Sequence, residues 1–105
     1  MSGSLAGKVG IVTGAGRMRG IGRAIAVRLA QEGAAVAATA VARSPDSFPE
    51  HEREASWLGI PSVVAEIEAA GGSALGLDLD VTKPDDARVA VDRVRKHLGR
   101  IDILV

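Results

Sequence analysis

The sequence has no cysteine and no tyrosine, only one tryptophan and one phenylalanine, and no net charge, thirteen basic residues being matched by thirteen acidic ones. Without cysteine, disulfides, thiolate metal sites and cysteine nucleophiles are excluded. Without a charge imbalance there is no field to gather nucleic acid or an acidic membrane surface. No apolar run approaches membrane-spanning length, and the opening "MSGSLAGK" lacks the apolar stretch of a secretory leader. A cytoplasmic protein with neither nucleic-acid nor membrane partners is therefore expected. There is no H-E-x-x-H, and His51 and His97 sit in a charged run and near a helix end, so no metal site is expected. The absence of G-x-S-x-G leaves a hydrolase elbow unsupported. With so few aromatics the core must be built from Ala, Val, Ile and Leu, and 105 residues make one domain at most.

What is present alternates. "KVGIVT", residues 8 to 13, is a β-branched apolar run expected to be a buried strand. A helix is expected over residues 21 to 32, its apolar positions being Ile21, Ala24, Ile25 and Leu29, with Gly33 as its stop. "AAVAATAV", 34 to 41, favours helix by composition but follows a helix stop so closely that a strand is expected. Residues 44 to 61 carry three of the four prolines and both aromatics without sustained periodicity, and read as a long loop insertion with one helical turn around Glu50 to Trp57. Phe48 and Trp57 are expected to pin that excursion to the body, and "PEHERE" within it reads as a solvated face. Pro61 suits the first turn of a helix burying Val63, Val64, Ile67 and Ala70. "ALGLDLDV", 74 to 81, is the third strand. Thr82 and Asp85 form a capping-box pattern with Pro84 in the first turn, and the helix that follows is expected to bury Ala87, Val91, Val94 and Leu98 and to end at Gly99. "IDILV" begins a fourth strand. Such alternation implies an α/β fold: parallel strands, right-handed crossovers and helices on both faces of the sheet, three layers in all.

"VTGAGRMRGIGRA", residues 12 to 24, places four glycines and three arginines between the first strand and the first helix. A glycine past the strand permits a tight turn, a second lets a diphosphate approach main-chain N–H groups, and a third lets helix and strand pack closely. The free N–H groups and positive dipole of the first helical turn would then face the phosphates.

"LAGKVGIVTGAGRMRGIGRAIA" resembles the N-terminal segment of the short-chain dehydrogenase/reductase family, whose pattern is T-G-x-x-x-G-x-G. "LDLDVT" is similar to the family's third strand and its Asp-Val pair, and "GRIDILV" to its fourth strand. The resemblance implies a Rossmann-type doubly wound parallel sheet with strand order 3-2-1-4, of which residues 1–105 form the N-terminal part. It implies that Gly14, Gly20, Ile21 and Gly22 cradle the pyrophosphate of a nicotinamide dinucleotide, with Gly16 in the same loop, and that Asp80 and Val81 meet the adenine. From the residues alone Asp80 reads equally as a cap for the next helix. Five residues, Ala15 to Arg19, separate Gly14 from Gly20 where the common pattern has three, a spacing similar to that of enoyl-acyl-carrier-protein reductases.

An acid some 20 residues past the glycines would hold the ribose 2′-hydroxyl of NAD. Residues 33 to 45 contain none, while Arg43 follows the strand end, and Arg17 and Arg19 stand in the glycine loop. A guanidinium grips a 2′-phosphate by a forked, charge-assisted contact, so NADP is expected in preference to NAD.

In the family that the chain resembles, hydride transfer uses a Ser, a Tyr and a Lys four residues after the Tyr. No tyrosine is present, no catalytic residue can be assigned, and the ending in a strand leads us to expect the N-terminal part of a longer polypeptide. The expected function is an NADP(H)-dependent oxidoreductase interconverting an alcohol and a carbonyl on a small-molecule substrate, assembled as a homo-oligomer, dimer or tetramer, when complete. Alternatives are a short non-catalytic NAD(P)-binding module or redox sensor, an enoyl-thioester reductase and, least well matched in its spacing, a methyltransferase.

Overall fold

Val9–Val12, four consecutive buried residues, form β1, and a strand apolar on both faces needs cover on both. The structure, a computed structural model, describes residues 3–105; Met1 and Ser2 lie outside the described residues. β1 is followed by α1 (Ile21–Gln31), β2 (Ala35–Ala40), a 3-10 turn (Pro45–Ser47), α2 (Glu50–Glu54), α3 (Ile60–Ala69), β3 (Ala74–Asp78), α4 (Pro84–Leu98) and β4 (Ile103–Leu104). All strand pairings are parallel, in the order β3-β2-β1-β4. This is the Rossmann-type sheet expected, and the alanine-rich segment is indeed a strand, paired with β1 on one side and β3 on the other.

Two apolar clusters give the three layers. Val12, Val36 and Ala38 meet Ala26 of α1 and Val63 and Ile67 of α3 on one face. Val9, Ile11, Ala37, Leu77 and Leu79 meet Ala90 and Val94 of α4 on the other.

The helical faces differ in detail from those read off the sequence. In α1 the buried residue is Ala26, whereas Ile21 is 79% exposed and Ala24 is also exposed; Ile25, Val27 and Leu29 pack around the cluster's rim. In α3, Val63 and Ile67 are buried but Ala70, the C-cap, is exposed. In α4, Val94 is buried as expected, Ala90 is buried with it, and Val91 is exposed. Ala26 and Ala90 fill their places in close-packed clusters, while the bulkier Ile21 and Val91 lie on the solvent side.

The capping box at α4 is not formed. The N-cap is Lys83, without a side-chain cap. Thr82 instead gives both its N–H and its hydroxyl to Asp80 Oδ1, at 2.9 and 2.6 Å, and Asp85 pairs with Arg88. The helix starts at Pro84, so Thr82 stands one position before the N-cap, and its hydroxyl serves a local turn with Asp80 instead. β4 is held to β1 by the Val9 N–H, which donates to Asp102 Oδ2 at 2.9 Å, and by the Thr13 hydroxyl, which donates to the Val105 carbonyl.

Candidate functional site

At the C-terminal end of β1 the chain turns at Gly14, whose φ of +64° lies in the left-handed region that a glycine adopts without strain. The Ala15 N–H donates to the Thr39 carbonyl at 2.9 Å, tying the root of the glycine loop (residues 14–20) to the end of β2. The loop re-enters regular structure at Gly20, the N-cap of α1. A Cβ at Gly22 would stand 2.6 Å from the Gly14 carbonyl oxygen, so α1 starts as close to the turn as a bare backbone permits. No side chain caps α1 and no acid lies in its first turn. The helix therefore presents its free first-turn N–H groups, and the positive end of its dipole, beside the loop.

The excursion between β2 and α3 folds against this loop. Trp57 donates its indole N–H to the Gly16 carbonyl at 2.8 Å, and the Arg23 guanidinium lies 5.0 Å from the centre of its ring. Phe48 is buried beneath Arg43, whose guanidinium carbon is 4.1 Å from the ring centre. Trp57 pins the excursion to the glycine loop, while Phe48 packs under Arg43 at the end of β2.

Glu52 departs from the sequence reading. The run "PEHERE" forms α2, and Glu52 within it is fully buried. Its Oε2 accepts the Met18 N–H at 2.8 Å and Arg17 Nε at 3.3 Å; its Oε1 accepts Arg43 Nη1 at 3.2 Å. Burial alone would push its carboxyl upward, but the Met18 amide and the two guanidinium groups outweigh that and leave it below its ordinary value. The Met18 carbonyl in turn accepts Arg23 Nη1 at 2.7 Å, while Arg23 forks onto Glu66 of α3. Met18 is thus held through its N–H and its carbonyl, which belong to two successive peptide groups.

Arg43 also donates from Nη2 to the Gly16 carbonyl at 3.2 Å. It lines a cleft of about 210 Å³ with Gly16, Ala40, Phe48, Gly59 and Asp78, at the C-terminal ends of β2 and β3. Ala40 is the last residue of β2. Arg19 is exposed at the loop's edge and enters no ion pair among the described residues. Of the residues singled out in the sequence, Gly14, Gly16, Arg17, Gly20, Gly22 and Arg43 come together around the loop, and Ile21 projects from its exit. Asp80 and Val81 lie past the end of β3. Hydrogen bonds from the Thr82 hydroxyl and N–H lower the Asp80 carboxyl, and Val81 is exposed.

Short chain dehydrogenases, as a family, match residues 8–105. A cyclohexanol dehydrogenase from Rhodococcus is 43% identical over 101 residues, covering 96% of this chain and 36% of that protein. A versicolorin reductase from Emericella nidulans is 40% identical over 100 residues, covering 95% of this chain and 32% of that one. Among solved structures, a dehydrogenase/reductase from Sinorhizobium meliloti superposes with a TM-score of 0.73 at 44% identity, over 96% of this chain and 34% of that chain. A hydroxysteroid dehydrogenase from Escherichia coli gives 0.74 at 33%, over 95% and 36%. The chain spans about a third of the length of these relatives.

Proposed function

The chain belongs to the short-chain dehydrogenase family, and from that membership we propose that it supplies the dinucleotide-binding half of an NADP(H)-dependent oxidoreductase interconverting an alcohol and a carbonyl on a small molecule. The observation that carries the reading is the uncapped start of α1 beside the glycine turn. It lies at the C-terminal end of β1, where the chain, having built the sheet outward through β2 and β3, returns to the other side of β1; such switch points are where doubly wound sheets take their ligands.

The residues present fit a dinucleotide. Gly14, Gly16, Gly20, Ile21 and Gly22 bring bare main chain and helical N–H groups to a pyrophosphate. Asp80 and Val81 are the candidates for the adenine. Ala40 offers no carboxylate to a 2′-hydroxyl, Arg43 lines the cleft beside it, and Arg17 and Arg19 belong to the neighbouring loop; a guanidinium there suits a 2′-phosphate, which favours NADP(H). When bound, the nicotinamide supplies or accepts the hydride; the part of this chain is to hold and orient it.

Titration of the intact protein with NADPH, NADH and S-adenosylmethionine by calorimetry tests the reading. Saturable binding of the nicotinamide dinucleotides, NADPH the tighter, and none of the methyl donor is expected. A folded protein indifferent to both dinucleotides would defeat the proposal.

A further inference from the structure

The Glu52 carboxylate is surrounded by one main-chain N–H of the glycine loop and two guanidinium groups, Met18 N at 2.8 Å, Arg17 Nε at 3.3 Å and Arg43 Nη1 at 3.2 Å. Loop amides joined by arginine forks are a donor set with which proteins hold phosphate groups. Here the chain fills that seat with its own anion. The two arginines are also two of the three cations available to a 2′-phosphate, and Arg43 is the one that borders the cleft at the end of β2.

We infer that Glu52 is a built-in competitor of the ribose 2′-phosphate: seated on Arg43 and Arg17, it limits the preference for the phosphorylated cofactor, and so acts as a specificity-determining residue carried by the excursion. The inference rests on the cofactor reading above and refines it. Cofactor choice in this fold is ordinarily set by an acid or base at the end of the second strand. Here that end carries Ala40, and the nearby charge arrives from α2. Arg17 and Arg43 together bring two positive charges, and Glu52 removes one of them. An incoming phosphate must share the Arg43 fork with a carboxylate of its own sign. Glu52 is fully buried and makes three hydrogen bonds, so it is not free to swing aside without cost. Phe48 beneath the guanidinium and the Gly16 carbonyl at its other nitrogen hold Arg43 in this shared position.

The test compares NADP, NAD, 2′,5′-ADP and 5′-ADP by calorimetry on the intact protein and on E52Q. Glutamine keeps the volume and an oxygen for the Met18 N–H while removing the charge. In the unaltered protein the preference for NADP over NAD is expected to stay below about tenfold, equivalent to about 1.4 kcal/mol. E52Q is expected to tighten NADP and 2′,5′-ADP by about five- to tenfold, and to leave NAD and 5′-ADP within about twofold. Adding R43Q to E52Q is expected to abolish the gain. Parallel loss for all four ligands, or a loss confined to the 2′-phosphorylated pair, would overturn the inference and leave Glu52 a mechanical clip or a support for Arg43. A preference for NADP above about a hundredfold in the unaltered protein would overturn it without any variant, which covers a failure of E52Q to fold. If NAD and 5′-ADP bind but the 2′-phosphorylated pair does not, the NADP preference falls; binding of that pair gained in E52Q then upholds the competition, and no gain overturns it. If none of the four binds the folded protein, the cofactor reading itself has failed.

Discussion

Trp57 and Gly16, separated by 41 positions, are joined by a hydrogen bond of 2.8 Å from the indole N–H to the glycine carbonyl. The protein's one tryptophan thus touches the backbone of the loop proposed to carry the diphosphate. Dinucleotide binding should therefore change its fluorescence, and a titration that gives heat without any change in emission would separate the ligand from this loop.

Replacing Trp57 by Phe keeps a ring beneath Arg23 and removes the N–H. Because the Gly16 carbonyl also accepts from Arg43, it is not left bare, and the expected cost is about 1 kcal/mol, measured by urea unfolding. An unchanged midpoint would show that the bond contributes no net stability.

A methyl group at Gly22 meets backbone: 2.6 Å to the Gly14 oxygen and 3.0 Å to the Ala15 Cα. G22A must push α1 away from the turn, at an expected cost of about 1–3 kcal/mol and with loss of dinucleotide affinity. Wild-type stability with wild-type affinity would mean that the close approach has no consequence.

Arg43 joins Glu52, Phe48 and Gly16, so R43A acts twice. It should weaken NADP while sparing NAD, and it should lower stability by about 1–3 kcal/mol, because buried Glu52 loses a charged partner. Equal loss of affinity for the two cofactors would remove Arg43 from cofactor choice.

The Arg100 guanidinium, and then the Val9 amide, hold the Asp102 carboxyl below its ordinary value of 3.8. A carboxyl lowered by folding contributes stability above its unfolded value, and that contribution is lost as pH falls through the folded one. Melting temperatures should therefore drop more steeply below about pH 4 in the unaltered protein than in D102N, which lacks the titrating group. Parallel curves would show that the pairing of β4 with β1 does not respond to this carboxyl.

The strands, the helices and the place of the glycine loop were legible because periodicity and glycine spacing are local signals. The buried faces of α1 and α4 were less so. Ala26 and Ala90 face the sheet, set by the rotation of each helix in the assembled fold, whereas a count of apolar spacings favours larger residues such as Ile21 and Val91. Thr82 and Asp85 satisfy a local capping pattern, yet the helix starts one residue later than that pattern requires, and the Thr82 hydroxyl turns back to Asp80. Glu52 was the largest miss. Nothing in a run of alternating charges marks one carboxylate as buried, since its partners Arg17 and Met18 lie more than thirty positions away. The signal that was available was the surplus of arginine around an acid-free strand end, which calls for a counter-charge from elsewhere in the chain.

Clamping Met18 through both its N–H and its carbonyl has a consequence for binding thermodynamics. A glycine-rich segment ordinarily loses much of its backbone freedom when a ligand arrives, and affinity suffers by that amount. In this chain one residue of that segment, Met18, is already held, by Glu52 on one side and Arg23 on the other. Association should carry a smaller entropic penalty at Met18 than at a free loop residue, and the Met18 amide proton should exchange slowly with solvent even before a ligand is added.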